Sequence, residues 1–284
     1  MSVNDVSGRI TEVRRAGLTF DVRDEGPVDG EPVVLMHGFP ERATCWRYVS
    51  PILNAAGYRT LAIDQRGYSP GARPKRRRDY VQSELVDDIV ALIDEVGGSA
   101  HVVGHDWGAS VSWLVAIMHP DKVRTLTAVS VPHPGLFMKS WTRSAQGIKS
   151  WYMAFFQLPV IPEALAGSRI FQRWARRGGM DEDAINRFRS EILEDGALTT
   201  AINWYRGLPL SDPRSVGGNV TVPTTLVWSD GDHFVGRWAV DRTDSVVEAP
   251  YRLVVLSDVS HWIPTEAPDA LADAILGRIS GKDG

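Results

Sequence analysis

The segment that most limits how this chain can fold is His101-Val-Val-Gly-His-Asp-Trp-Gly108, followed at once by Ala109–Met118. A short apolar run reads as a buried strand and the stretch after it as a helix, so the chain must turn sharply within Gly-x-Asp-x-Gly. Such a turn leaves no room for a side chain at Gly104 or Gly108, which would collide with the neighbouring strand and helix. It also holds Asp106 up, exposed, at the end of the strand. Read alone, Asp106 serves as well as an N-cap, because aspartate accepts the N–H groups left unpaired at a helix start.

Short apolar runs at Val33–Met36, Thr60–Ile63, His101–Val103, Thr125–Val131, Thr225–Trp228 and Leu253–Leu256 are bounded by Gly, Pro or Asp and predict six buried strands. Helical patterning falls between or after them, over Asp79–Val96, Trp107–Met118 and Pro268–Ile279. Alternating strands and helices predict an α/β fold with a mostly parallel, doubly wound sheet. The alternation breaks between Pro132 and Gly217, where aromatics, Pro and helical patterning replace the strand signal. The expectation is a core of residues 1–132 and 218–284 with a helical lid, residues 133–217, inserted between breaker-rich ends.

A formal net charge of −4 gives no attraction to phosphate backbones, so nucleic acid is not an expected partner. Lys75-Arg-Arg-Arg78 reads as a solvated loop face. The only cysteine, Cys45, cannot form an intrachain disulfide and reads as a buried small hydrophobe, which fits a reducing compartment. Met1–Asp24 alternates charged and apolar residues without the apolar core of a signal peptide, so the expected location is cytoplasmic. Trp151–Ile161 is apolar but too short for a bilayer and interrupted by Pro159, and reads as pocket wall rather than membrane span. Enzymes of this size often form symmetric dimers, so a homodimer is one expectation for the assembly.

Toward the C-terminus, Trp228-Ser-Asp-Gly-Asp232 and Ser257-Asp-Val-Ser-His261 each follow a predicted strand. They bring an acid and a base to the same edge of the sheet as Asp106, in the chain order nucleophile, acid, histidine. Asp232 is preferred to Asp230, which lies nearer the strand and suits a turn. Taken singly, His261 reads equally as a satisfied buried histidine. No His/Asp/Glu group has the spacing of a metal site, and no cofactor is expected.

With these segments in hand the chain resembles the α/β-hydrolase-fold epoxide hydrolases over nearly its whole length. The matching motifs are His37-Gly-Phe-Pro40, Asp64-Gln-Arg-Gly-Tyr68, Gly104-His-Asp-Trp-Gly108 and Ser260-His261-Trp262. In the predicted lid, Tyr152-Met-Ala-Phe-Phe-Gln157 and Asn203-Trp-Tyr-Arg206 resemble the family's two tyrosine segments. The resemblance implies Asp106 as covalent nucleophile, Tyr152 and Tyr205 as proton donors, and His261 with Asp232 as the pair that activates water. It implies an oxyanion hole from the N–H groups of Phe39 and Trp107, with Phe39–Pro40 a candidate cis bond. Lining of a pocket for an apolar epoxide is expected from His37, Pro40, Trp151, Phe155, Phe156 and Trp204.

The chemistry fits those residue types. An epoxide carbon is electrophilic but its oxygen leaves as a strongly basic alkoxide, so opening needs a nucleophile on one side and an acid on the other. Tyrosine, with a pKa of about 10, still carries its proton at neutral pH. A haloalkane dehalogenase with the same Asp nucleophile is the nearest alternative, although the tyrosine pair suits an alkoxide and relatives of that class often carry Asn where Phe39 stands. A ligand-binding protein that has lost catalysis is the second alternative, and would lack one of these roles. An ordinary esterase would need Ser or Cys at position 106.

Overall fold

The computed structural model describes residues 3–4 and 8–282. Nine strands form one sheet: β1 (Val3–Asn4), β2 (Ile10–Arg15), β3 (Leu18–Glu25), β4 (Pro32–Met36), β5 (Arg59–Ile63), β6 (Ala100–His105), β7 (Val123–Val129), β8 (Thr224–Ser229) and β9 (Tyr251–Leu256). Their order is β1-β2-β3-β5-β4-β6-β7-β8-β9. From β5 to β9 every pairing is parallel, whereas β1, β2 and β3 pair antiparallel. The six predicted strands are therefore present within a few residues of their expected limits, and the α/β prediction holds.

The antiparallel edge was not expected. Its signal was an alternation inside a charged segment: in β3, Phe20, Val22 and Asp24 turn inward while Asp21, Arg23 and Glu25 face solvent. The β2–β3 hairpin closes through Ala16 (φ 51°) and Gly17 (φ 78°), left-handed positions that suit the twist of a tight hairpin. The helix expected from Asp79 begins at Gln82, preceded by a 3-10 turn over Arg77–Tyr80, and ends at Glu95. The helices Trp107–Met118 and Pro268–Ile279 have the predicted limits. Cys45 is a buried free thiol, and Lys75–Arg78 is exposed.

Between β7 and β8 the chain forms only helices and turns up to Val216, including Pro134–Arg143, Trp151–Phe155, Arg169–Arg177 and Leu198–Gly207. This insertion is tied to the loops after β4 and β5. The Trp204 indole donates to the Arg66 carbonyl (2.6 Å), the Thr200 hydroxyl to the Gly67 carbonyl (2.6 Å) and the Thr44 hydroxyl to Glu191 (2.6 Å). Arg42 and Arg73 both pair with Asp195.

The strand order decides where a site can lie. From β4 the chain passes to β5 on one side, then crosses back to β6 on the other, so the connections diverge between the carboxyl ends of β4 and β6. Open α/β sheets bind ligands in the crevice at such a switch point. Asp106 follows β6, and His37-Gly38-Phe39 follows β4, at that crevice.

Candidate active site

The turn that carries Asp106 works only with glycine on either side. A Cβ on Gly104 would stand 2.1 Å from the Gly108 carbonyl oxygen, and one on Gly108 would stand 2.2 Å from that of Met36. Helix, strand β6 and strand β4 thus touch backbone to backbone. Asp106 itself has φ 53° and ψ −118°, a conformation rarely adopted by a residue with a side chain. Gly104→Ala is expected to cost about 3 kcal/mol or more by overpacking, lowering the melting temperature by roughly 5 °C, which calorimetry will detect. An unchanged melting temperature would mean that the turn relaxes without strain.

Asp106 Oδ1 accepts the Phe39 N–H at 2.8 Å, and Oδ2 lies 3.3 Å from His261 Nε2. The Phe39–Pro40 bond is cis. On the other side of the imidazole, Nδ1 is 2.7 Å from Asp232 Oδ2, while Asp232 Oδ1 accepts the N–H groups of Phe234 (2.7 Å) and Val235 (2.9 Å). Asp232 is buried, whereas Asp230 is exposed and caps Asp258 N–H. The His261 carbonyl is gripped by the Ser130 hydroxyl and by His105 Nε2, each at 2.9 Å. The side chains Asp106, His261 and Asp232 therefore form a continuous chain, with His261 and Asp232 buried and Asp106 partly open to the cavity.

Electrostatics follow from that geometry. Burial alone would lower the His261 pKa, but Asp232 and Asp106 outweigh it and raise it to about 10. Burial alone would raise Asp106, yet the hydrogen bond and charge of His261 and the Phe39 N–H hold the carboxyl below its usual value. Tyr152 and Tyr205 are both pushed up, first by burial and then by the Asp106 charge, so both phenols remain protonated.

One cavity brings Asp106, Trp107, Tyr152 and Tyr205 together with Val131, Pro134, Phe137, Met138, Met153 and Leu208. A smaller cleft behind it adds Phe39, Pro40, Phe234 and His261. The two tyrosine rings lie 6.1 Å apart, and Tyr205 packs edge-on against both Phe39 (5.2 Å) and Trp107 (5.1 Å). Phe156 packs at a tilt against Tyr205, 4.8 Å between ring centres, and, with Phe155 and Trp151, lines an outer groove that backs onto Tyr152.

Two residues expected to line the pocket lie elsewhere. His37 is fully buried behind Gly38; its Nδ1 donates to the Gly38 carbonyl and its Nε2 accepts the Gln65 N–H, so it braces two loops. Trp204 is buried against Tyr68 and Trp107, with its N–H spent on Arg66. Sequence reading also missed Phe234, whose ring lies 5.7 Å from Tyr152 and 5.1 Å from His261. It missed Glu41 as well, a buried carboxyl that desolvation, partly offset by Arg187, raises to about 7 beside the unpartnered Nδ1 of His105. Phe234 lies two residues beyond Asp232 and Glu41 directly follows Pro40; neither has a pattern of its own to distinguish it from a loop residue.

Known proteins share this fold. Residues 31–268 match the alpha/beta hydrolase fold family. An AB hydrolase superfamily protein, YfhM of Bacillus subtilis, is 34% identical over 95% of this chain and 97% of its own length. Epoxide hydrolase 4 of Homo sapiens is 34% identical over 90% of this chain and 74% of its own, and epoxide hydrolase A of Mycobacterium tuberculosis is 30% identical over 94% and 96%. Among solved structures, epoxide hydrolase A of Mycobacterium thermoresistibile superposes with a TM-score of 0.83 at 26% identity, covering 95% of this chain and 97% of that one. The chain belongs to the α/β-hydrolase fold family and, within it, is an epoxide hydrolase.

Proposed function

We propose that this enzyme converts apolar epoxides to vicinal diols through an ester on Asp106, in a site that the helical insertion covers as a lid. The observation that carries the reading is one cavity that holds an ionised carboxylate opposite two protonated phenols, with a histidine–carboxylate pair at the carboxylate's back. The apolar wall of Val131, Pro134, Phe137, Met138, Met153 and Leu208 suits a hydrophobic substituent on the epoxide.

In the first step, Tyr152 and Tyr205 hydrogen-bond the epoxide oxygen while Asp106 Oδ2 attacks a ring carbon. The C–O bond of the ring breaks, a phenol gives its proton to the departing oxygen, and a hydroxyalkyl ester remains. Asp106 Oδ1, already facing Phe39 N–H, becomes the ester carbonyl oxygen. Before the second step the His261 imidazolium passes its proton to the phenolate left by ring opening; the neutral imidazole then takes a proton from water, and the hydroxide adds to that carbonyl carbon. The Phe39 and Trp107 N–H groups stabilise the oxyanion, the latter aided by its place at a helix start. Collapse breaks the ester C–O bond, the departing oxygen takes the proton left on the added hydroxyl, and the diol leaves with Asp106 again a carboxylate and His261 again protonated.

Diol formation from a panel of aryl and aliphatic epoxides, run beside matched haloalkanes, tests the assignment. Halide release without diol would move the chain to the dehalogenases, and silence on both panels would favour a binding role. Tyr152→Phe and Tyr205→Phe are each expected to slow ring opening by about 10²-fold, because the partner tyrosine still supplies a proton. The double variant should fall by a further factor of at least about 10², measured as the single-turnover rate of epoxide loss. A double variant no slower than either single one would remove the tyrosines from the acid role.

A further inference from the structure

Of the thirteen large apolar side chains that the described residues leave exposed, seven fall between Ile148 and Ile170. They include Ile148 (79% exposed), Val160 (73%), Ile170 (70%) and Trp151 (54%). Val160 adds strain to exposure, since a β-branched residue rarely adopts its φ of 65°. Residues 148–177 also carry five basic side chains, Lys149, Arg169, Arg173, Arg176 and Arg177, against one acid, Glu163. Glu163 is committed to Arg206, and of the five cations only Arg176 pairs with a carboxylate among the described residues, Glu182.

On the helix Arg169–Arg177, Ile170 and Trp174 form one stripe flanked by Arg169, Arg173 and Arg177. Trp151, Leu165 and Ile170 line the same open groove as Arg173 and Arg177, so apolar and cationic groups share one surface. We propose that this face docks on an anionic lipid bilayer, with the apolar side chains entering the headgroup region and the arginines meeting lipid phosphates and carboxylates. A second copy of the chain is a poor occupant, because symmetric contact would set the same unpaired cations against themselves. No helix among the described residues is long and apolar enough to cross a membrane. The groove backs onto Tyr152, which also lines the Asp106 cavity, so the docked face is next to the site where an apolar substrate would react. Docking does not depend on the proposed chemistry, and its test reads binding alone.

The test is co-sedimentation of the full chain with phosphatidylcholine vesicles, with and without phosphatidylserine, at low and high salt. Each basic residue near an anionic surface is worth about fivefold in binding. Phosphatidylserine is therefore expected to raise partitioning by at least about tenfold, and high salt to reverse the gain. The Arg169→Glu/Arg173→Glu variant should bind phosphatidylserine vesicles at least about tenfold more weakly. Val160→Asp/Ile170→Asp, both at exposed positions, should lose binding with an unchanged circular dichroism spectrum and melting temperature. Equal binding to both vesicle types, no binding to either, or unaltered binding by the charge-reversed variant overturns the proposal. So does concentration-dependent dimerisation through this face without vesicle binding, read by sedimentation velocity.

Discussion

Asp106→Ala is expected to reduce diol formation by at least about 10⁴-fold while leaving the protein folded. The size of the loss follows from the absence of any substitute. A nucleophile that acts as one unit with its base loses nearly all of its rate when it is removed. Among the described residues, Asp232 and Glu41 are the other buried carboxylates near His261; Asp232 is held behind the imidazole by two backbone N–H groups, and Glu41 lies beside His105 and Arg187. Neither lines the cavity with the tyrosines. The protein should stay folded but melt lower, since alanine keeps the strained φ of 53° and gives up a carboxylate whose pairing with His261 and the Phe39 N–H outweighs the cost of its burial. The check is a paired measurement of diol yield and thermal melting. A variant that melts cooperatively and keeps more than about one per cent of its rate would exclude an ester on Asp106, because no preserved group can take its place.

What the sequence disclosed and what it hid have different physical origins. The Asp106 turn was legible because close approach of three backbone segments demands Gly104 and Gly108, and the demand appears in the sequence as two fixed glycines around an acid. The parallel strands were legible because strands buried on both faces read as unbroken apolar runs, as β4, β6 and β8 do. The antiparallel strands β2 and β3 intersperse their apolar residues with Arg, Asp and Glu and so resemble charged loop. Pocket lining was the least legible part. His37 and Trp204 sit in motifs beside the site, yet whether a side chain points into a cavity or into the core depends on backbone direction that motif position does not encode. His37 turned inward because its two ring nitrogens satisfy the loops after β4 and β5, and Trp204 because its N–H closes on Arg66.

His261→Gln is expected to trap the ester, and the reason lies in how the histidine's charge changes during turnover. In the free enzyme two carboxylates raise His261 to about 10, so at neutral pH it is an imidazolium and cannot act as a base. Ring opening does not need it to be one. Once Asp106 is esterified its negative charge is gone, only Asp232 remains to support the imidazolium, and burial again pulls the pKa down. The imidazolium then yields its proton to the tyrosine phenolate left by ring opening, and the neutral base is available at the step that needs it. Glutamine accepts no proton from water, so ester hydrolysis should slow by about 10³-fold or more while opening continues. Without the imidazolium, burial dominates at Asp106 and raises its pKa, so opening in the variant should speed up as pH rises. Intact mass spectrometry should then show an adduct of one epoxide mass, mapping to Asp106. The same charge carries a stability signature. A histidine raised from 6.5 to about 10 stabilises the fold fully below pH 6.5, and that contribution disappears as pH rises through about 10. Wild-type melting temperature should fall across that window, and the component should be missing in His261→Gln. Substrate consumed by the variant with no adduct, at any pH in the window, would contradict the two-step reaction.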